Sequence, residues 1–321
     1  MSGAIIEVRH LSKTFSFEAG FFARGERTVY AVNDVSFSIR RGTTYGLVGE
    51  SGCGKTTTAR LLVGMYSPTS GEIRYAPEAG EARNIASYTK NEMRAYREKV
   101  KYIFQDPARS LNPRMNVFEI MTSPLRYSSK RRGKDDAKER AVKIIKEVGM
   151  SEADLFRRPS EFSGGQRQRI SIARALIMEP EALICDEVIS ALDVSIQGQI
   201  INLLDDLRKT RSLSFLFITH DLKAASYFCD VIGVMYRGIL VEEAPAADLY
   251  ETKLHPYTKL LFDGALGKEA ASNAEVKTTL EAEKGCPFAY RCPHAEKACC
   301  ETLPELTETE SGHRVRCLLV Q

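Results

Sequence analysis

The stretch 49–56, Gly-Glu-Ser-Gly-Cys-Gly-Lys-Thr, constrains this chain more than any other. It fits the pattern G-x-x-x-x-G-K-[ST], a loop that cradles phosphate groups. A strand-like run, Thr44-Tyr45-Gly46-Leu47-Val48, leads into it, and a helix-like run, Thr57-Thr58-Ala59-Arg60-Leu61-Leu62, follows. That context is what such a loop needs. Gly49, Gly52 and Gly54 let the backbone curl with positive φ, so several N–H groups aim at one anion. The start of the helix adds partial positive charge. The pattern predicts that Gly49, Glu50, Ser51, Gly52, Cys53, Gly54, Lys55, Thr56 and Thr57 surround a nucleotide's phosphates. Lys55 would reach the terminal phosphates, and the Thr56 hydroxyl would ligate Mg²⁺.

The bulk numbers narrow the setting. A chain of 321 residues suits one large domain plus a small one. The net charge of +3 is too small to argue for nucleic acid. No apolar run approaches the roughly 18 residues that would cross a bilayer. The opening MSGAIIEVRHLSK lacks the long apolar segment of a secretory signal, so a cytoplasmic location is expected.

Short strands open the chain: 5–8, 29–32 and 35–39. Between them FSFEAGFFARGERT reads as a hairpin insert with Phe17, Phe21 and Phe22. Further strands are expected at 71–75 and 100–104. Residues 115–150 read as mainly helical around the charged patch 130–134. The apolar runs 181–185 and 213–218 suit buried parallel strands, with a helix over 195–209 between them. Strands alternating with helices around a phosphate loop predict an α/β fold with its ligand at the strand C-termini. Composition shifts to small and charged residues over 268–284, which reads as a linker. The expected division is a cassette over 1–250, an extension and linker over 251–284, and a cysteine-rich module over 285–321.

Asp186-Glu187 closes the run Ala182-Leu183-Ile184-Cys185. An apolar strand that delivers two acids complements a phosphate loop. Asp186 would hold Mg²⁺, a hard cation that prefers oxygen, and Glu187 would polarise an attacking water. Phe162-Ser163-Gly164-Gly165-Gln166 precedes the helix-like RQRISIARALIM, and Gln105 ends a strand. Ser190-Ala191-Leu192-Asp193 follows the acids, and His220 follows the apolar run Leu213–Thr219.

These motifs, in this order, resemble the ATP-binding cassette (ABC) superfamily over residues 5 to about 250. The resemblance implies a P-loop cassette with a β-rich ATP-binding core and a helical signature subdomain. It implies head-to-tail pairing with a second ABC ATPase subunit, identical or homologous. The phosphate loop of one subunit would hold ATP while Ser163, Gly164, Gly165 and Gln166 of the other covered it. Glu187, His220 and Gln105 would be the catalytic group, with Gln105 also sensing the metal. Asp193 would link the two sites, and an aromatic, Phe15 first or Tyr30, would stack on adenine. Positioning and charge neutralisation supply most of such catalysis. Val188-Ile189 departs from the family's usual Pro-Thr, and Phe162 and Cys185 also differ.

The tail, with His255-Pro256-Tyr257-Thr258, Leu260-Leu261 and GCPFAYRCP, resembles the oligopeptide and dipeptide importer ATPases, and the segment QDPARSLNPRM at Gln105 looks like the same subgroup. That subgroup implies ATP-driven peptide import through transmembrane permease subunits, on the cytoplasmic side of the inner membrane. A solute-binding protein would be an indirect partner. Nickel and other small-solute importers share the subgroup. A soluble ABC ATPase acting on nucleic acid or ribosomes is the alternative, and the single cassette without sustained heptads counts against it.

Five of the eight cysteines crowd positions 286–317. In a reducing compartment, crowding reads as a metal or cluster site before disulfides. Four thiolates suit an iron–sulfur cluster or zinc. The family resemblance favours [4Fe–4S] on Cys286, Cys292, Cys299 and Cys317, with Cys300 as the substitute for Cys299.

Overall fold

Three five-residue strands, β3 (Thr44–Val48), β7 (Ala182–Asp186) and β8 (Ser214–Ile218), are buried at every position. Continuous burial is what parallel strands covered on both faces require. In the computed structural model these strands pair side by side and parallel, with β7 also parallel to β6 (Val100–Ile103) and β3 to β9 (Val231–Tyr236). The structure describes residues 3–18, 26–78, 80–106, 110–128, 133–265, 284–309 and 312–320.

Side chains alternate between two cores, as the period of a strand dictates. Leu183, Cys185, Phe215 and Phe217 face a helical core built by the helices Gly164–Leu176 and Val194–Arg211. Ala182, Ile184, Leu216 and Ile218 face the other way, onto the helix α1 (Lys55–Leu62) and an antiparallel sheet. Each fully buried Leu, Ile or Phe contributes about 1.5–3 kcal/mol. A one-residue slip would exchange the two faces, so this pattern fixes the register in which β7 delivers Asp186 at its end.

The antiparallel sheet runs in the order β2-β1-β4-β5, with β1 at Ala4–Glu18, β2 at Glu26–Arg40, β4 at Ser70–Tyr75 and β5 at Arg83–Asn84. The strands expected at 29–32 and 35–39 are one strand, β2. Its pairing with β1 shifts register near Asp34 and His10, both with positive φ. A bulge of this kind lets one strand bend without ending. Residues 19–25 of the expected insert, including Phe21 and Phe22, lie outside the described residues, as does the side chain of Phe17. So do 129–132 of the charged patch and 266–283 of the expected linker.

The large sheet continues beyond the cassette strands. Its order is β11-β12-β10-β9-β3-β8-β7-β6, with β10 at Ile239–Pro245, β11 at Thr307–Glu308 and β12 at Arg314–Val315. The cysteine-rich segment is therefore joined to the sheet, not tethered beside it. Buried Glu242 on β10 fastens it, accepting from the backbone N–H groups of Leu254 and His255 and from His313 Nε2 at 2.6 Å.

Candidate active site

Adjacent strand ends assemble one site. The loop 49–54 leaves β3, His220 follows β8, Asp186 and Glu187 end β7, and Gln105 follows β6, along the sheet order β3-β8-β7-β6. Crevices at the carboxyl ends of parallel strands are where such sheets bind ligands.

The loop has the backbone that its glycines predict. Gly49, Gly52 and Gly54 have φ of 150°, 79° and 109°. A Cβ on Gly49 would lie 2.1 Å from the Met235 carbonyl oxygen, and one on Gly54 would lie 2.2 Å from that of Ala31. The loop is thus pressed between β2 and β9, where only glycine fits. The buried Lys55 ammonium turns into the curl, donating to the carbonyls of Gly49 (2.7 Å) and Glu50 (2.9 Å). Cys53 is buried beside it, and burial raises its thiol above the usual range. Ser51 and Gly52 are exposed, and Thr57 is half-buried.

Across the loop, Thr56 Oγ1 donates to Asp186 Oδ1 at 3.2 Å, and the Tyr102 hydroxyl donates to Asp186 Oδ2. Burial pushes the Asp186 carboxyl above the usual carboxylate range, while those two hydrogen bonds pull it back. A divalent cation would offset the cost of burying that charge. The oxygens of Thr56, Asp186 and Gln105 are of the type Mg²⁺ takes, with water completing its shell. Glu187 sits at φ 49°, a left-handed turn rare for a glutamate. Its N–H is tied to the Ile218 carbonyl at 2.9 Å. That turn swings its carboxylate out of the strand, where Oε2 accepts from Gln105 Nε2 at 2.7 Å and Oε1 lies 3.7 Å from His220 Nδ1. Backbone strain of this kind concentrates at working sites. A cavity of about 390 Å³ lies alongside, lined by Thr56, Arg60, Tyr102, Phe104, Gln105 and Asp186 among others. Val188 and Ile189, the departures after Glu187, are buried and pack in the helical core.

The signature residues are not part of that cavity's lining. Ser163 caps the helix Gly164–Leu176 with a reciprocal box, its hydroxyl accepting from Gln166 N–H and the Gln166 amide oxygen accepting from Ser163 N–H. Ser163, Gly164 and Gln166 are exposed, and only Gly165 is buried, against Ile196. Asp193 is exposed at the start of the helix Val194–Arg211. Phe15 is half-buried, its ring edge on Tyr66 and the Lys13 ammonium 5.2 Å above it. Tyr30 is 59% exposed.

Two contacts to the loop were not legible in the sequence. Glu50 N–H donates to the Tyr257 hydroxyl at 2.9 Å, and both Glu50 carboxylate oxygens accept from Arg291 Nη1 at 3.0 Å. The HPYT motif is thus structural: His255 Nδ1 accepts from Tyr257 N–H at the start of the helix Pro256–Ala265. Burial lowers the His255 pKa to about 4, and the nearby Glu242 carboxylate opposes that.

Four of the clustered cysteines come together. Cys286, Cys292, Cys299 and Cys317 do line one pocket, with His255 and Phe288, while Cys300 is not among its lining residues. The open space among them is about 20 Å³, room for about one water. Among the described residues no group of three or more His, Cys, Asp or Glu is set to hold a metal ion. Burial raises the Cys286 thiol to about 11 and raises Cys317 as well. Four thiols around one pocket match the donor type and number that an iron–sulfur cluster or zinc takes.

A phosphate loop, paired acids and a capped glycine corner on one α/β sheet define an ATP-binding cassette. The ABC transporter family model matches residues 32–190, and the model of the oligopeptide/dipeptide transporter C-terminal region matches 241–299. The chain is 41% identical to the oligopeptide transport ATP-binding protein OppF of Bacillus subtilis, covering 99% of this chain and 97% of that protein. It is 39% identical to AppF, another oligopeptide transport ATP-binding protein of Bacillus subtilis, over 98% and 97%. Among solved structures, the ADP- and phosphate-bound dimer of the cassette MJ0796 aligns with TM-score 0.64 and 26% identity, over 75% of this chain and 98% of that one. CbiO1 from Clostridium perfringens, part of the transporter complex cbiONQ, aligns with TM-score 0.66 and 25% identity, over 78% and 92%. This chain belongs to the ATP-binding proteins of the oligopeptide/dipeptide ABC transporter family.

Proposed function

We propose that this chain hydrolyses ATP to drive peptide import through a membrane permease. The observation that carries the reading is the Glu187 constellation. A carboxylate is held by a strained backbone between Gln105 and His220, one residue beyond the acid that meets Thr56 of the phosphate loop. In the proposed reaction the loop N–H groups and Lys55 bind the β- and γ-phosphates. Mg²⁺, on Thr56 and Asp186 with Gln105 nearby, would neutralise charge on the phosphate oxygens. Glu187 orients the attacking water, and His220 contacts the γ-phosphate. Phe15, fixed by Tyr66 and Lys13, is the proposed adenine-stacking face, with Tyr30 the exposed alternative.

The partner assignments belong to the same proposal. Exposed Ser163, Gly164 and Gln166 would cover the nucleotide of a second cassette, which the dimeric relative MJ0796 supports. No helix among the described residues is long and apolar enough to cross a membrane. Transport then needs separate permease subunits, with the chain peripheral on the cytoplasmic side and a solute-binding protein delivering cargo. The full-length likeness to oligopeptide transport proteins favours peptide over nickel. The test is Glu187→Gln. It should bind Mg-ATP as a dimer yet lose turnover by about 100-fold or more. A variant that turns over normally would remove Glu187 from this role.

The cysteine pocket lies outside the reaction. Its four thiols have the donor type and number of a cluster site, and we propose that they hold an iron–sulfur cluster. Iron and acid-labile sulfide in anaerobically purified protein test that proposal. Their absence ends it.

A further inference from the structure

Two parts of the chain beyond the cassette meet the phosphate loop at Glu50: Tyr257 from the extension and Arg291 from the cysteine-rich segment. We propose that Arg291 and Tyr257 are positioning residues for the phosphate loop, setting its affinity for nucleotide through Glu50. The proposal rests on the assignment of 49–56 as the phosphate site.

The loop needs outside support. It carries three positive-φ glycines between Gly49 and Gly54, the residues with most backbone freedom. Any freedom kept before binding is lost when the N–H groups converge on a phosphate, and that loss weakens affinity. Tyr257 fixes the main chain at Glu50, since its oxygen accepts the Glu50 N–H at 2.9 Å. Arg291 fixes the side chain, with Nη1 3.0 Å from both carboxylate oxygens.

Arg291 also answers a charge problem. The Glu50 carboxylate is a negative charge within the loop that must receive a polyanion. Paired with Arg291 it no longer repels phosphate. An ordinary surface ion pair contributes little, but this one is held. The guanidinium lies 5.9 Å from the Tyr236 ring centroid and 5.6 Å from that of Phe288. Tyr236, Tyr257 and Phe288 pack on one another with centroids 4.5–5.4 Å apart. Tyr236 and Tyr290 share a 2.7 Å hydrogen bond. Both contacts therefore come from one rigid aromatic cluster, seated on β9 next to Met235, whose carbonyl presses on Gly49.

The experiment uses the full chain, a fluorescent ATP analogue for Kd, and steady-state ATP hydrolysis. Arg291→Met should raise Kd and KM roughly 3- to 10-fold, with kcat within about 2-fold. Arg291→Lys should recover most of that loss, because a single nitrogen makes both contacts. Adding Glu50→Gln to Arg291→Met should also recover part of it, since the stranded carboxylate is gone. Tyr257→Phe, which keeps the ring, should raise Kd about 2-fold. A merely structural role would lower the melting temperature and the active fraction, and leave Kd and KM of the folded protein unchanged. That result overturns the proposal. So does a cycle in which Arg291→Met and Glu50→Gln act independently. If Arg291→Met does not fold, Arg291→Lys and Tyr257→Phe decide. Lys55→Ala separates the two readings: if it binds nucleotide normally, the site assignment itself fails and the brace falls with it. If only Lys55→Ala loses binding, the site stands and the brace is wrong.

Discussion

The phosphate loop and the signature corner are both glycine-led turns at the start of a helix, yet one is enclosed and the other is bare. The loop is gripped by the Met235 and Ala31 carbonyls, by Tyr257 and by Arg291. The corner is held by its own capping box and by Gly165 against Ile196, with Ser163, Gly164 and Gln166 in solvent. The difference teaches how the labour divides. On the proposed reading the loop is formed before its ligand arrives, whereas the corner presents hydrogen-bonding groups to a second cassette.

The contrast can be broken most forcefully at the loop. Gly54→Ala places a Cβ against the Ala31 carbonyl at a φ of 109°. It should cost about 1–3 kcal/mol in backbone strain, lower the melting temperature and abolish nucleotide binding. Unchanged binding in a titration would show the loop to be looser than drawn here. At the corner, Ser163→Ala should cost about 1 kcal/mol of helix capping. Turnover should fall while affinity for nucleotide, measured on the monomer, stays the same. A weakened Kd would mean that the corner contacts the loop of its own chain.

A smaller effect sharpens the comparison through pH. His255 titrates near 4 in the folded protein against an ordinary 6.5. The unfolded state therefore holds more protons between those values, so stability falls as pH drops through that window. The full shift corresponds to about 3 kcal/mol below pH 4. Melting curves from pH 7 to 4 should fall less steeply for His255→Gln than for the unaltered chain. Equal slopes would show that another group governs the acid limit.

Much of this was written in short stretches of sequence. The loop, the paired acids, Gln105 and His220 each end an apolar strand, and a strand end is a local property. The long β2 reads as two strands in the sequence because its bulge at Asp34 looks like a break until the pairing with β1 is seen. The cysteine count was legible, but the size of the cavity the thiols surround was not. Arg291 and Tyr257 stood inside motifs that resemblance had singled out, and nothing local could say that both reach Glu50. Contacts between residues so far apart in the chain come from the sheet, which seats β12 beside β10.

Glu50 and Arg291 stand 241 positions apart. A ribosome adds roughly 5–20 residues each second, so the loop is synthesised some tens of seconds before its brace. During that interval the nascent cassette carries its phosphate loop but not the clamp that steadies it. Full affinity for nucleotide thus doubles as a sign that the polypeptide has been made through its cysteine-bearing segment.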